Sequence, residues 1–384
     1  MRSRPAGTPS RAPTPPLPWA DGVRALAMLV VLVWHTLLTV APDEPTAPWA
    51  WVITPFGGVA HAAVLTFIVL SGYLLGRHWR PGELRTESLH YLLRRGWRLL
   101  PPYWVVVTLT VVAMLALGLR HPGGSHWDVG LPMTWGNTAL NYLLLTDLAG
   151  TSPYNHPLWT VPVEFHLYLL APLLVLVRRR AAAIVVGAVL TLAVAFAAPG
   201  FVAPFFAFAF AAAFWAGHHR QSLREVDTRR TLRVVLPGAV VGLAVAAAVV
   251  VGGDLSQGGV RFLLLDAVAT PLLIGWLLLS DLSVGDGRVH RLLSSGPLRW
   301  TGARSYSTYL VHALVIEILW RFAVEPIGLA GDAAPFGVLL VLAAPLSLVA
   351  GKLLHQWVEL PSARRSAAVG TRPGRLPAPS KDPA

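Results

Sequence analysis

The chain has no cysteine, so it can hold no disulfide and no thiolate metal site. A cysteine acyl-enzyme is excluded as well, and a covalent intermediate would need another nucleophile. Charge is also scarce, at 13% of residues against 54% hydrophobic, and acidic side chains are scarcer than basic ones, 19 against 31. Apolar runs recur along the whole length, so there is no soluble core to build, and the pattern reads as an all-α, polytopic integral membrane protein. The net charge of +12 does not indicate a nucleic-acid partner, because the arginines sit in short loops between apolar spans and not on a basic domain with base-reading elements. Zinc-ligand spacing, phosphate-cradling glycine loops and RNA-binding signatures are absent, and no metal is expected.

Ten stretches are long and apolar enough to cross a membrane: 23–41, 57–76, 99–119, 158–177, 181–197, 201–217, 234–251, 261–279, 305–322 and 335–356. Residues 137–145 are too short to span and read as an interfacial or re-entrant piece. With an inner N-terminus, this arrangement puts 28 of the 31 basic residues on one side, leaving Arg120, Arg261 and Arg321 outside it. The segregation predicts about ten helices with both termini cytoplasmic. A basic region precedes the first span, as in a signal peptide, but removing that span would reverse the charge logic of all that follows. Residues 1–18 and 362–384 are polar and proline-rich and are expected to be disordered tails around a membrane domain at 19–361. The large outer loop carries His121, Trp127, Trp135, Asp147, Tyr154 and His156, whose aromatics suit either interface anchoring or a sugar or polyketide ligand.

The first span carries the most informative pair. Arg24 and His35 are eleven residues apart, which places them on nearly one helix face about 16 Å apart along the axis. Ionisable groups at membrane depth are costly unless they line a polar cavity or have partners, so two on one stripe indicate a site. A neutral His35 could take a proton from a hydroxyl as that oxygen attacks an acyl carbonyl. A lone histidine is more often satisfied by a neighbouring helix, and Arg24, which could itself be a snorkelling flank residue, is what shifts the reading toward function.

Arg94-Arg95-Gly96-Trp97-Arg98 sits before Leu99-Leu100-Pro101-Pro102-Tyr103, with Arg95 and Arg98 on one face at the expected start of the third span. Guanidinium forks there could dock a phosphate-bearing donor such as acyl-CoA, or could serve only as topogenic charge. In Trp159-Thr160-Val161-Pro162-Val163-Glu164-Phe165-His166-Leu167-Tyr168, Glu164 and Tyr168 share a face one turn apart. Glu164 could orient His35 or hold a sugar hydroxyl. Ser71-Gly72-Tyr73 in the second span reads first as close helix packing. His312, near the middle of the ninth span, has functional and structural readings of equal weight, while His61, Asp266, Glu317 and His355 are weaker cases of the same kind.

These residues resemble the membrane-bound acyltransferase-3 family, which includes O-antigen and exopolysaccharide O-acetylases and macrolide O-acyltransferases. The resemblance runs from about Trp19 to Arg364: Asp21 to Ala27 with Trp34-His35, then Phe67 to Leu74, Arg95 to Tyr103, Leu158 to Pro172, Ser305 to His312, and Val358-Glu359-Leu360-Pro361. It implies a bacterial plasma-membrane enzyme that moves an acyl group, commonly acetyl, from cytoplasmic acyl-CoA to a hydroxyl of a carbohydrate, glycolipid or macrolide-like acceptor. His35 would be its catalytic histidine with Glu164 beside it, and Arg24, Arg95 and Arg98 would handle the donor. Trp159, Tyr168, Ser71, Tyr73 and His312 would contact substrate. The family's paired carboxylate is reduced here to the single Glu164, and the chain is expected to work without the C-terminal hydrolase-like domain of some members. The alternative is a transporter or flippase of the acyl donor or of a lipid-linked glycan, because buried His, Arg and Glu also build such pathways. Inverted internal repeats, the mark of many transporters, are not visible in the sequence.

Overall fold

The computed structural model describes residues 17–41, 47–79, 86–119, 133–149, 154–176, 203–223, 258–282, 287–329 and 333–369. Among these residues the fold is wholly helical. The long elements are α1 (Pro18–Val40), α2 (Ala47–His78) and α3 (Thr86–Ala116), followed by the short α4 (Trp135–Leu143). A 3-10 turn (His156–Trp159) leads into α5 (Thr160–Leu176), and α6 (Ala203–Leu223) and α7 (Gly258–Leu282) follow. Two short helices, α8 (Arg288–Leu293) and α9 (Gly296–Ala303), precede α10 (Ser305–Leu319), α11 (Ala333–Leu354) and α12 (Leu360–Ala368).

Among the described residues, four helical segments are long and apolar enough to cross a membrane: Pro18–Val40, Phe56–His78, Ser88–Ala116 and Ala333–Ala368. Eight of the ten expected spans coincide with helices, and the other two, 181–197 and 234–251, lie outside the described residues. The third helix begins at Thr86, well before the expected position 99, so Arg94, Arg95 and Arg98 lie inside it and not at its start. Pro101 and Pro102 are helical too; the bundle around them holds the chain where proline alone would break it. The expected re-entrant piece is α4, whose cap Thr134 accepts from Asn137 N at 3.1 Å.

Glycine permits the closest helix contacts. Gly72 and Gly76 form a small-xxx-small pair on α2 that lies against α6, and a Cβ on either would meet a carbonyl oxygen, Phe210 at 2.6 Å or Phe214 at 1.9 Å. At the first helix, Gly22 faces Leu293 O and Gly302 faces Asp21 O at similarly short range, so α8 and α9 clamp the start of α1.

The helix ends sort into two sides. The ends of α2, α6 and α7 meet where Asp281 accepts from Tyr73 (2.8 Å) and Arg77 (2.8 and 3.0 Å), with Arg220 at 3.3 Å. On the same side Tyr306 on α10 bonds Leu99 O on α3, and Ser366 on α12 bonds Arg94 O. The opposite side gathers α4 against α3 through Tyr103 and Trp104, and the starts of α2 and α11 near the ends of α1 and α10. The start of the expected C-terminal tail is ordered on the first side: Ser362 is buried, and the Arg365 guanidinium lies 5.3 Å from the Trp97 ring, so the helix continues to Ala368. The rest of both expected tails lies outside the described residues.

Candidate active site

A cavity of about 410 Å³ opens among α1, α2, α3, α5 and α10. Arg24, Arg95 and Arg98 all line it, with Glu164, Tyr168 and Glu359 across from them. Arg24 is tethered to Asp21 at 2.8 Å, one helical turn earlier on the segment that α8 and α9 clamp. The Arg95 guanidinium lies 4.9 Å from the Tyr168 ring centroid and 5.8 Å from that of Tyr91. The Tyr168 hydroxyl donates to Glu164 Oε1 at 2.5 Å, and Ser71 Oγ donates to the same oxygen at 2.9 Å. One carboxylate therefore fixes the tyrosine on which the arginine rests. Neither Arg95 nor Arg98 is ion-paired to a described residue, so both guanidinium forks can meet an anionic ligand.

His35 is 8% exposed and lies outside the lining of this cavity. Its Nδ1 is 2.6 Å from His312 Nε2, and the two rings lie edge to edge with their planes 9° apart and centroids at 4.9 Å. The proton positions follow from the second contact. His312 Nδ1 lies 2.5 Å from Tyr309 O, and because a carbonyl only accepts, His312 carries its proton on Nδ1. Its Nε2 then accepts from His35 Nδ1–H, which leaves the lone pair of neutral His35 on Nε2. Two histidines in series thus set the tautomer that a general base requires.

The structure brings together Arg24, Ser71, Arg95, Arg98, Glu164 and Tyr168 around one cavity. Three other expected residues lie in surroundings that the sequence did not indicate. Glu164 bonds Ser71 and Tyr168, and the partner that orients His35 is His312, 277 residues away in sequence. Tyr73 is fully buried and bonded to Asp281, on the α6–α7 side of α2, and is not among the cavity residues. Trp159 stacks against Phe206, 6.0 Å between centroids, and is not among the cavity residues. Of the weaker cases, His61 pairs with Asp266 at 2.7 Å away from the cavity, and Glu317 pairs with Arg321. His121 and Trp127 lie outside the described residues, while Trp135 is 93% exposed and Asp147 pairs with His166 at 3.2 Å.

Glu359 and Tyr309 are among the lining residues not foreseen as site residues. Glu359 Oε2 accepts from Ser307 Oγ at 2.6 Å and pairs with His355 Nδ1 at 2.8 Å, and a π-helical turn over His355–Glu359 carries it into the cavity wall. The Val358-Glu359-Leu360-Pro361 motif was the available signal. Tyr309, whose hydroxyl donates to Pro157 O at 2.9 Å and accepts from Thr160 Oγ1 at 3.1 Å, lines the cavity and touches the His312 ring at 5.4 Å between centroids.

Helices long and apolar enough to cross a membrane around a guanidinium-lined cavity, with a tautomer-fixed histidine pair behind it, define a multi-pass membrane protein with an arginine-lined site. The profile of the acyltransferase-3 family, described as an acyltransferase domain, matches residues 17–352, and the chain belongs to that family. It is a membrane acyltransferase. The match stops short of the turn that carries Glu359. No curated protein and no solved structure matches the chain.

Proposed function

We propose that the protein transfers an acyl group, acetyl in the simplest case, from acyl-CoA to a hydroxyl of a carbohydrate or other glycosylated acceptor in a bacterial plasma membrane. The observation that carries this reading is the convergence of Arg24, Arg95 and Arg98 on one cavity, two of them without a carboxylate partner among the described residues. Diphosphate and ribose-phosphate groups of a coenzyme A ester suit such forks. The side on which α1 begins would be cytoplasmic, since Arg77, Arg94, Arg220, Arg299 and Arg365 gather there. Donor would then enter from the side where the nucleotide is made.

His35 would act as general base. As the acceptor oxygen attacks the thioester carbonyl, its proton passes to His35 Nε2, the C–O bond forms, and the C–S bond breaks. The coenzyme A thiolate leaves and takes up the proton from the imidazolium. His312 would stabilise that imidazolium by accepting from Nδ1–H, and Glu164 would hold Tyr168 beneath Arg95.

The test feeds labelled acetyl-CoA to membranes containing the wild-type chain or His35→Ala at matched expression, and scans lipids, glycans and secreted metabolites by mass spectrometry. A labelled ester that depends on His35 is the expected result and reveals the acceptor. Equal label in both membranes would overturn the role of His35.

A further inference from the structure

Beyond His312 lies a second cavity of about 80 Å³, lined among others by Thr110, Asn155, His156, Pro157, Ala313 and Glu317. It sits on the side opposite the start of α1, beneath the ends of α3 and α10. The two cavities share no lining residue, yet one hydrogen bond separates them: Tyr309 belongs to the first, Pro157 to the second, and Tyr309 Oη donates to Pro157 O at 2.9 Å. Thr160 Oγ1, on the first-cavity side, reaches both the Tyr309 hydroxyl (3.1 Å) and Pro157 O (3.3 Å). His312 precedes Ala313 of the second cavity in sequence and bonds the backbone of Tyr309, so the histidine pair lies in the partition itself.

The second cavity holds a buried acceptor that its own donors leave unmet. Asn155 is 6% exposed; its amide nitrogen donates to Leu310 O at 3.4 Å, while its Oδ1 is buried with no hydrogen-bond partner among the described residues. A buried acceptor without a donor is destabilising, and a ligand hydroxyl would relieve it. Pro157 O and the Glu317 carboxylate add further acceptors. The small volume suits the hydroxyl-bearing tip of a molecule and not a whole glycan.

We infer that the second cavity is the subsite for the hydroxyl end of the acceptor, and that Tyr309 is the positioning residue that keeps it apart from the donor cavity until its bonds to Pro157 and Thr160 break. This rests on the acyltransferase reading of the first cavity. Swinging the Tyr309 ring aside would join the two cavities beside the His35–His312 pair, where a hydroxyl from one side and a thioester from the other can meet. Held shut, the same ring keeps water that enters the second cavity away from the thioester.

The absence of cysteine makes the chain its own background for a labelling test. Val64→Cys marks the first cavity and Leu314→Cys the second. Each full-length variant is placed in sealed vesicles of known orientation and exposed from one face at a time to the impermeant reagent sulfonatoethyl methanethiosulfonate. The two cysteines should react from opposite faces. Adding Tyr309→Ala should make Val64→Cys reactive from both faces, with at least about a tenfold faster rate from the Leu314 side. Tyr309→Phe, which keeps the ring and loses both bonds, should give a smaller rise and serves if the alanine variant does not fold. Asn155→Leu should slow labelling of Leu314→Cys and leave Val64→Cys unchanged. Reaction of both cysteines from one face, or unaltered sidedness in both Tyr309 variants, overturns the inference. Protection of Val64→Cys by coenzyme A is scored separately, so the donor reading can stand when the partition fails, and the reverse.

Discussion

Replacing Asp281 by asparagine should be among the most damaging single changes outside the cavity. In the native chain its carboxylate accepts from the Tyr73 hydroxyl and twice from the Arg77 guanidinium, and Arg220 lies within 3.3 Å. The Arg77 and Asp281 side chains are 2% and 4% exposed, so the amide would leave Arg77 charged, buried and facing a donor group. Removing one partner of such a pair costs about 3–5 kcal/mol. One kcal/mol moves the melting temperature of a chain of a few hundred residues by about 2–4 °C, so Asp281→Asn should melt roughly 6–20 °C lower. The double variant Arg77→Met with Asp281→Leu should lose less than Asp281→Asn alone, because the apolar pair leaves no fully buried charge and Arg220, 14% exposed, can turn toward water. Fifteen tryptophans make intrinsic fluorescence in detergent a direct readout of the transition. A fall of less than about 2 °C for Asp281→Asn, or a double variant less stable than the single one, would refute the view that this network fastens α2, α6 and α7.

Four further outcomes follow. Gly76→Ala places a Cβ 1.9 Å from Phe214 O and should lower stability by at least about 1–3 kcal/mol, whereas Gly96→Ala, whose nearest neighbour is 3.7 Å away, should raise it by about 1 kcal/mol; paired thermal melts check both. Arg98→Ala should weaken coenzyme A binding by at least about tenfold, and Arg98→Lys should recover only part of it, since an ammonium keeps the charge but not the fork; calorimetric titration decides, and unchanged affinity in both would remove the cavity from donor handling. Tyr168→Phe should keep donor KM near wild type, because the ring stays under Arg95, while Tyr168→Ala should raise it; equal KM values in the two variants would show that the ring contact does not matter. Ser307→Ala removes the 2.6 Å donor to Glu359 and should cost about 1–3 kcal/mol, as a buried charged acceptor loses a partner; a neutral melt would mean that His355 alone suffices.

Apolar runs of spanning length located eight helices without any tertiary information, because the bilayer imposes length and hydrophobicity on each segment separately. The start of α3 was not visible, since residues 86–98 are polar enough to read as loop and become helical through packing of Tyr91 and Arg95 against Tyr168. Arg24, Arg95, Arg98, Ser71, Glu164 and Tyr168 were each legible as candidates, and the cavity joins them. Partners were not legible. His35 and His312 are 277 residues apart, and no local pattern says that two helix faces will meet. Glu164 and Ser71 are joined across 93 residues in the same way. The opposite error was Tyr73, two residues from Ser71 but on a different face of α2, where Asp281 and not the cavity awaits it.

The turn at His355–Glu359 also has a bearing on how this chain tolerates change in length. A π-helical turn holds one residue more than the α-helical turn it interrupts, so the surplus residue is stored in the backbone and not in a loop. Deleting one residue between Leu354 and Leu360 would let the helix run on in ordinary α form with α12 in nearly its present orientation, because the residue removed is the surplus one. The bulge that brings Glu359 to Ser307 would be lost, while α12 would keep the face it presents to Arg94 and Trp97. α11 precedes the deletion and keeps its own register. A point deletion, normally a crude lesion, is here a means of disconnecting one carboxylate from the cavity while leaving the membrane-spanning scaffold in place.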